Sequence, residues 1–246
     1  MYIFSINDDL PTTKNACCII CADSILLTLK SIGTIPLYYI SRKMKIICIG
    51  QSYADHVREM NSSTPSEPIF FFKPDTCLLR KNQPFFYPNF SNEIHYELEV
   101  VLKICRLGRN ISERFANRYY NEVGLGIDFT ARDLQRDCKE KGLPWEIAKA
   151  FDGSAPISEF KGKAEFPDLG NLDFWLEKNG EVVQRGNTGD MTFNFDQLIA
   201  HISKYTTLKI GDLIYTGTPA GVGPVAIGDR LKGYLGGELM LDFFVR

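Results

Sequence analysis

The chain has 246 residues, of which 44% are hydrophobic and 24% are charged, and its formal net charge is -2. This composition is typical of a globular protein with room for one large domain or two small ones. The near balance of charges argues against nucleic acid as the main partner, since a strongly basic face would need compensating acid elsewhere. Seven cysteines without a paired framework fit a reducing cytoplasm. The C-x-x-C formed by Cys18 and Cys21 lacks the further ligands of a zinc site.

The first 43 residues differ in character from the rest of the chain. Asp8 and Asp9 stand where a signal peptide would carry positive charge, and the apolar run that follows is too short and too polar to span a bilayer. A buried strand then starts at Met44. We therefore expect an N-terminal extension of doubtful authenticity, followed by one catalytic domain over residues 44–246. A chain starting at Met44 that failed to fold would contradict this expectation.

Hydrophobic periodicity predicts a strand-rich chain with a few helices. The predicted strands cover residues 44–50, 69–73, 95–104, 124–128, 172–178, 181–185, 208–216 and 229–245. The predicted helices cover residues 111–123, 130–141 and 195–205, with a turn and a short helix within 51–60. Asn179-Gly180 is the strongest hairpin signal. We find no internal repeat, which favours a single domain after residue 44.

The segment 95–101 sets two carboxylates, Glu97 and Glu99, one residue apart in a predicted buried strand. Side chains alternate across a strand, so the two glutamates share a face and lie about 6.6 Å apart along it. Two anions among apolar neighbours repel each other and lose hydration, unless a cation lies between them or one of them holds a proton. A hard divalent metal is the simplest remedy. The alternative that this segment leaves open is an ordinary solvent-facing strand.

Asp128 ends another predicted strand and supplies a third carboxylate. Three oxygen ligands without thiolate favour Mg²⁺, Mn²⁺ or Ca²⁺ over zinc, and they leave coordination positions for water or a substrate. His95 points to the same strand face as the two glutamates. We expect it to support the ligands rather than to join them, since a hard metal gains less from imidazole.

Other residues have chemistry that suits a catalytic site. His56 and Glu59 lie three apart in the predicted short helix and can form a general base for water, although an exposed helical pair is the alternative. Lys149, between alanine and aromatic residues, can pair with an anion when half-buried, but a surface lysine gives the same pattern. The glycine-rich loop 216–223 lets the backbone approach an anion, and without the lysine of a phosphate-binding loop it favours a carboxylate. His201 lies in the middle of a predicted helix between apolar positions, and no motif offers it a functional partner. We therefore predict that it packs as a structural residue of that helix.

Six motifs follow one another in order: Gly50-Gln-Ser-Tyr-Ala-Asp-His56-x-x-Glu59, Phe72-Lys73-Pro74, Tyr96-Glu97-x-Glu99, Gly126-Ile-Asp128-x-Thr-Ala-Arg-Asp133, Lys149-Ala-Phe-Asp152 and Thr216-Gly-Thr-Pro-Ala-Gly-Val-Gly223. Together they resemble the fumarylacetoacetate hydrolase family, and most closely its small single-domain members of the acylpyruvase and oxaloacetate decarboxylase type. The resemblance covers essentially all of residues 44–246 and none of residues 1–43. Several motifs in the right order are far more specific than any one of them.

The resemblance implies an α+β, β-rich fold, a mixed β-sheet roll of the fumarylacetoacetase C-terminal-domain type with peripheral helices, usually as a homodimer. It implies Mg²⁺ or Mn²⁺ held by Glu97, Glu99 and Asp128, with the α-keto acid end of the substrate chelating the metal. The remaining residues that it implies fall into a catalytic group and a substrate-binding group. The catalytic group is His56 and Glu59, as a water-activating pair on a lid, with Lys149 as the stabiliser of a developing enolate. The substrate-binding group is Tyr53, Arg132, Gln135, Gly217 and Thr218.

The activity implied is metal-dependent cleavage of a C–C bond in acylpyruvates or related β-keto acids such as oxaloacetate, through a pyruvate enolate. Two alternatives stay open: a 2-hydroxyhepta-2,4-diene-1,7-dioate isomerase or 5-oxopent-3-ene-1,2,5-tricarboxylate decarboxylase of aromatic catabolism, and a catalytically silent binding protein. One departure concerns substrate charge, because Gln51 and Ser52 stand where the family often has Arg-Asn. We expect a small keto acid as the partner, with no nucleic acid and no membrane, in the cytoplasm.

Overall fold

The computed structural model describes residues 44–60 and 63–246, which fall within one compact unit, Arg42–Arg246. The extension predicted over residues 1–43 lies outside the described residues and stays a prediction. The strands are β1 (Ile46–Gly50), β2 (Ile69–Lys73), β3 (Leu78–Leu79), β4 (Ile94–Tyr96), β5 (Leu98–Ile104), β6 (Tyr120–Ile127), β7 (Thr130–Ala131), β8 (Ala155–Pro156), β9 (Lys161–Gly162), β10 (Asp173–Lys178), β11 (Glu181–Asn187), β12 (Leu213–Tyr215), β13 (Gly223–Pro224), β14 (Arg230–Leu235) and β15 (Glu238–Phe244). The helices are α1 (Ala54–Glu59), α2 (Glu113–Ala116), α3 (Arg132–Lys141), α4 (Glu146–Lys149) and α5 (Phe195–Tyr205). None of these helices is long and apolar enough to cross a membrane.

A six-stranded sheet carries the middle of the fold, in the order β2-β1-β12-β5-β6-β9. Only β1 and β12 run parallel in it. A second, antiparallel sheet has the order β11-β10-β14-β15 and packs against β5 and β6. Two small sheets, β13-β4-β7 and β3-β8, complete the arrangement among the described residues. The predicted β-rich α+β fold with peripheral helices is confirmed.

Strand β5 separates two hydrophobic clusters by simple alternation. Leu98, Val100 and Leu102 belong to the larger cluster, which the second sheet and α5 help to form, while Val101 belongs to a smaller cluster on the opposite face. Because successive side chains point to opposite faces, Glu99 shares the face of Val101. The fold thereby sets a carboxylate at the end of a cluster that is otherwise apolar.

The helix predicted over residues 111–123 is wrong for most of its length. Only Glu113–Ala116 is helical, and Tyr120–Ile127 forms β6. Residues of this segment, Tyr120 and Val123 among them, are buried and lie on a strand that pairs with β5. Pairing in a central sheet outweighed the local helical spacing, since strand formation depends mainly on sheet context.

Two predicted strands are shorter or divided in the structure. The segment 208–216 contributes only Leu213–Tyr215, because Gly211, with φ +92°, turns the chain just before it. The segment 229–245 is a hairpin whose turn is Gly236-Gly237, and both glycines have positive φ values of 57° and 90°. Only glycine adopts such conformations freely, so this pair was a hairpin signal in the sequence.

The predicted strand 95–104 is interrupted at Glu97, and this corrects the expectation of one continuous strand face. Strand β4 ends at Tyr96 and pairs with β7 and β13, whereas β5 begins at Leu98 and pairs with β6 and β12. Glu97 therefore lies at the joint between two sheets. The direction of its side chain is therefore set by the break between β4 and β5 and not by the alternation of side chains along one strand.

Candidate active site

The three predicted carboxylates converge in the structure. Glu97, Glu99 and Asp128 each offer an oxygen, and these oxygens all lie within 4.8 Å of one another. The three residues are only 6%, 1% and 1% exposed. This burial excludes the alternative of a solvent-facing strand edge with ordinary alternation.

The backbone around β6 explains why the carboxylates meet. The N–H of Asp128 donates to the C=O of Glu97 at 2.8 Å, which ties the two ligand-bearing turns together. Glu99 lies opposite Gly126 in the β5–β6 ladder. A Cβ at Gly126 would come within 2.5 Å of the Tyr215 ring, so a glycine is required where the sheet passes beneath the site.

Three cationic side chains lie against the carboxylates. The Nζ of Lys149 is 2.8 Å from Asp128 Oδ2 and 2.9 Å from Glu97 Oε2. The guanidinium of Arg132 is 2.6 Å from Glu97 Oε1, and the Nζ of Lys73 is 2.7 Å from Asp128 Oδ1. All three cationic side chains are at least nine-tenths buried. Such pairs are stable in a protein interior only when the remaining polar atoms are also satisfied.

The electrostatics separate the two glutamates. Burial raises the pKa of Glu99, repulsion from Asp128 and Glu97 adds to this, and the N–H of Gly217 at 2.7 Å offsets only part of it. Burial also opposes ionisation of Glu97, but Lys149 foremost among the nearby cations outweighs it and lowers the pKa of Glu97. The pKa of Lys149 is raised, because Asp128 and Glu97 outweigh its burial. The one carboxylate without a cationic partner within 4 Å is the one that favours its protonated form.

The donor set fits a hard divalent cation. An ionised carboxylate has about four acceptor positions, so the ion pairs to Lys149, Arg132 and Lys73 leave lone pairs on Glu97 and Asp128. Glu99 has no cation beside it, and its raised pKa marks a buried anion that a positive charge would stabilise. All-oxygen ligation is the preference of Mg²⁺ and Mn²⁺. These three carboxylates would hold the metal.

The predicted His–Glu pair forms on α1. The Nδ1 of His56 lies 3.1 Å from Glu59 Oε2, and His56 is only 7% exposed, whereas the side chain of Glu59 is 34% exposed. The imidazole is therefore buried, while its carboxylate partner reaches solvent. The electrostatic interaction of Glu97 with His56 also lowers the pKa of Glu97, after those with Lys149 and Arg132. A carboxylate at Nδ1 fixes the tautomer and leaves Nε2 as the reactive nitrogen.

The backbone of the glycine-rich loop donates to two carboxylates of the protein itself, and the predicted binding of a ligand carboxylate by this loop stays a prediction. Gly217 and Gly221 have φ values of +95° and +97°. The N–H of Gly217 donates to Glu99 at 2.7 Å, and the N–H of Gly221 donates to Glu59 Oε1 at 3.1 Å. The loop thus contacts the carboxylate cluster at one end and the His–Glu pair at the other. Substrate binding by Gly217 stays a prediction.

Arg132 and Gln135 lie at the site, one turn apart on α3. Arg132 Nη1 donates to Gln135 Oε1 at 2.6 Å, so the glutamine holds the guanidinium against Glu97. The hydroxyl of Thr218 donates to the C=O of Leu98 at 2.9 Å and therefore offers a ligand an acceptor rather than a donor. Tyr53 packs edge-on against a core phenylalanine, and its hydroxyl has no partner among the described residues. The substrate-binding roles of these residues stay predictions.

The other two histidines form their described contacts with groups other than the three carboxylates. The Nε2 of His95 is 3.2 Å from Glu93 Oε1, so His95 contacts Glu93 rather than a proposed metal ligand. His201 packs between the rings of Phe70 and Tyr205, with centroids 6.2 Å and 5.2 Å away. The prediction of a packed helical histidine at position 201 is confirmed.

Two contributors to the site had no role in the sequence analysis. Lys73 belongs to a quoted motif, and a single lysine in the run Ile-Phe-Phe-Phe-Lys was the signal that it is buried with a partner. Gln184 lies on β11 and hydrogen-bonds the backbone of Leu98. No spacing rule connects residues 86 positions apart, so only the fold reveals this contact.

A buried carboxylate cluster, a lysine between two of its members and an adjacent His–Glu pair define the catalytic centre of an enzyme that handles a small anion. The family profile described as fumarylacetoacetate (FAA) hydrolase C-terminal matches residues 45–240. This chain therefore belongs to the fumarylacetoacetate hydrolase family. The resemblance seen in the motifs and the prediction of an enzyme are confirmed.

Relatives of known activity cover most of the chain. The oxaloacetate tautomerase FAHD1 of Bos taurus, mitochondrial by its name, is 44% identical over 200 residues, which are 81% of this chain and 90% of that protein. The mitochondrial oxaloacetate decarboxylase of Dictyostelium discoideum is 40% identical over 206 residues, 82% of this chain and 94% of that protein. The crystal structure of fumarylpyruvate hydrolase from Pseudomonas aeruginosa, in complex with Mn²⁺ and pyruvate, matches with a TM-score of 0.79 at 34% identity, over 82% of this chain and 89% of that one.

Proposed function

We propose that this enzyme binds Mg²⁺ or Mn²⁺ at Glu97, Glu99 and Asp128 and acts on oxaloacetate through its enolate, by decarboxylation and keto–enol tautomerisation. The observation that carries the proposal is the balance of charges at the site. The names of the relatives from Bos taurus and Dictyostelium discoideum support the choice of oxaloacetate. The complex of the Pseudomonas aeruginosa relative with Mn²⁺ supports the metal.

The charges select a doubly negative substrate. When all three carboxylates are ionised, their three negative charges equal the three positive charges of Lys73, Lys149 and Arg132, although these cations pair only with Glu97 and Asp128. A divalent metal then leaves a buried excess of two positive charges, which is costly until an anion of matching charge enters. Oxaloacetate carries two carboxylates at neutral pH, whereas a simple acylpyruvate carries one.

The protein groups act where negative charge develops. Decarboxylation leaves the electron pair of the broken C–C bond on the pyruvate enolate, and tautomerisation removes a proton from C3 of the same substrate and returns it to oxygen. A bound Mg²⁺ or Mn²⁺ would act as a Lewis acid at the keto oxygen. Lys149 is held as an ammonium between Glu97 and Asp128, and its fixed positive charge would stabilise an enolate that forms at these carboxylates. His56, oriented by Glu59, offers Nε2 for the proton.

Hydrolysis of acylpyruvates is the second candidate, and the His56–Glu59 pair favours it. Hydrolysis needs an activated water molecule, and a buried imidazole with a carboxylate at Nδ1 is suited to remove its proton. Decarboxylation needs no such water. The His–Glu pair therefore distinguishes the two reactions at one site.

The first experiment follows oxaloacetate with excess Mn²⁺ or with chelator. We expect the enol form to convert and pyruvate to appear only with metal, and Glu99→Ala to reduce both rates to those of the chelated enzyme. The matched control is Glu122→Ala, because Glu122 lies on the same sheet in an exposed pair with Lys103, 2.8 Å apart. Equal rates for wild type and Glu99→Ala would contradict the proposal.

The second experiment compares acetylpyruvate hydrolysis with oxaloacetate decarboxylation in His56→Gln. We expect loss of hydrolysis with decarboxylation retained, and His201→Gln serves as the control because its imidazole packs between the rings of Phe70 and Tyr205. Loss of both reactions would show that the role of His56 in proton transfer extends from tautomerisation and water activation to the pyruvate enolate formed by decarboxylation. Turnover of neither substrate by wild type despite Mn²⁺ binding would favour the isomerase alternative, and no Mn²⁺ binding would favour the silent binding protein.

We also propose a homodimer in a reducing compartment, the cytoplasm being the expectation from the sequence. The edge strand β2 supports a partner, since Ile69 and Phe72 on it are 41% and 42% exposed. The described cysteines, all free thiols, support a reducing environment. Light scattering and cell fractionation test these two points.

A further inference from the structure

Both polar atoms of the Gln184 side-chain amide form hydrogen bonds within the protein. Its Oε1 accepts the N–H of Leu98 at 3.0 Å, and its Nε2 donates to Thr218 Oγ1 at 2.7 Å and to the C=O of Pro219 at 2.8 Å. Gln184 is 2% exposed and lies on β11, in the second sheet. One buried amide therefore joins three chain segments that are distant in sequence.

The residue that Gln184 holds is the one between the two glutamates of the carboxylate cluster. Leu98 receives a second hydrogen bond, because the Thr218 hydroxyl donates to its C=O at 2.9 Å. Its N–H and C=O are thus both bound, by Gln184 and by Thr218, and these two side chains also bind each other. The closed ring fixes the peptide planes on either side of Leu98, and those planes direct the side chains of Glu97 and Glu99.

The loop segment that Gln184 holds carries the other backbone donors of the site. Pro219 and Thr218 lie between Gly217, whose N–H binds Glu99, and Gly221, whose N–H binds Glu59. Displacement of this loop would move both donors together. Gln184 therefore takes part both in the hydrogen bonds around Leu98 and in those that hold the loop.

We propose that Gln184 is a positioning residue for the metal site, through which the second sheet sets the spacing of Glu97 and Glu99 and the position of the glycine-rich loop. The inference rests on the proposed function, since it assumes that the carboxylates bind a metal. A purely structural glutamine would support the stability of the fold without affecting metal affinity. Outer partners that orient metal ligands commonly change metal affinity by about 10- to 100-fold when they are replaced.

The experiment measures the dissociation constant for Mn²⁺ at 25 °C by electron paramagnetic resonance, in folded protein verified by circular dichroism. In Gln184→Met, which keeps the length of the side chain and removes all three hydrogen bonds, we expect Mn²⁺ to bind about 10- to 100-fold more weakly. The matched control is Gln197→Met. Gln197 also makes a side-chain hydrogen bond, in which its Oε1 accepts the N–H of Asn194 at 3.0 Å, but this bond caps α5, outside the site.

The expected pattern is weaker Mn²⁺ binding in Gln184→Met with unchanged binding in Gln197→Met, and a raised KM for oxaloacetate at full Mn²⁺ saturation. Mn²⁺ affinity equal to wild type in folded Gln184→Met overturns the inference while leaving the proposed function intact. If Gln184→Met does not fold, Gln184→Asn decides by the same criterion, because its shorter side chain cannot reach Leu98 and Pro219 together. Absence of Mn²⁺ binding in wild type overturns the proposed function, and this inference with it.

Discussion

Asp128 is held by a lysine that has no contact with solvent. The Nζ of Lys73 lies 2.7 Å from Asp128 Oδ1 and also donates to Ser154, at 2.9 Å to its hydroxyl and 3.1 Å to its carbonyl. A buried ion pair adds little net stability, but removal of one partner leaves an uncompensated charge. Lys149 still lies 2.8 Å from Asp128 Oδ2 in Lys73→Met, so this variant should lower the free energy of unfolding by about 3 kcal/mol, the lower end of the range for a broken buried pair, measured by urea denaturation of the metal-free enzyme.

The matched control for this prediction is Lys103→Met. Lys103 pairs with Glu122 at 2.8 Å on the same sheet, but both side chains are more than a third exposed. Solvent screens such a pair, so its loss should cost less than about 1 kcal/mol. Similar losses in the two variants would show that Asp128 is hydrated in the folded protein.

The start of α3 illustrates how an element is fixed by contacts that pattern analysis does not include. Asp133 Oδ1 accepts the Ser91 hydroxyl at 2.7 Å and the N–H of Leu134 at 2.9 Å, and Oδ2 accepts the N–H of Asn92 at 2.9 Å. Burial opposes ionisation of Asp133, but these hydrogen bonds outweigh it and lower its pKa. A carboxyl group whose pKa is lowered by folding stabilises the fold at pH values above its unfolded-state pKa of about 3.9. This stabilisation is lost as the pH falls through the lower pKa of the folded state.

Asp133→Asn should accordingly lower the free energy of unfolding at pH 7 by about 1 kcal/mol, with a difference that shrinks below about pH 4. Urea unfolding of both proteins across this range measures it. Asp137→Asn on the same helix is the control, because its pair with Lys141 is exposed and 3.7 Å long. A difference that persists in acid would assign the effect to packing rather than to charge.

Helices with strong end signals were predicted well, and segments decided by sheet pairing were not. Helix α5 matches its predicted bounds, Phe195–Tyr205, and α3 ends at Lys141 as predicted, with Gly142 after it in the left-handed conformation. Around residues 111–123 the local spacing resembled a helix, but the open edge of β5 supplied partners for Tyr120–Ile127. Information about that edge lies in residues 98–104, beyond any local window.

The same limit applies to the site across the whole molecule. Glu97, Glu99, Asp128, His56 and Lys149 belong to ordered motifs, and the structure brings all five into one buried region. The break at Glu97 between β4 and β5, which directs its side chain, was not predicted. It depends on which other strands pair with each half of the segment 95–104. The roles assigned to the substrate-binding residues still await a bound substrate.

Metal binding to the native state should raise the thermal stability of the whole molecule. A ligand present at 100 times its dissociation constant stabilises the native state by about 2.7 kcal/mol, so Mn²⁺ at that excess should raise the Tm by about 5–10 °C. Glu99→Gln should lose this shift without losing stability in chelator, because the amide oxygen can still accept the N–H of Gly217 and the carboxyl that burial and repulsion disfavour as an anion is gone. Calorimetry with Mn²⁺ and with chelator tests both statements. A full shift in Glu99→Gln would remove Glu99 from the ligand set.

Glu97 occupies the joint between the sheet of β4, β7 and β13 and the six-stranded sheet. A metal shared by Glu97 and Glu99 would act there as a cross-link, in addition to the chain segments at Glu97, at Asp128 and in the glycine-rich loop that already connect the two sheets. Amide hydrogens of β4, β7 and β13 should then exchange more slowly with deuterium when Mn²⁺ is bound, although none of these strands supplies a ligand. The bound ion would then couple the motions of the two sheets, in addition to its chemical role at the three carboxylates.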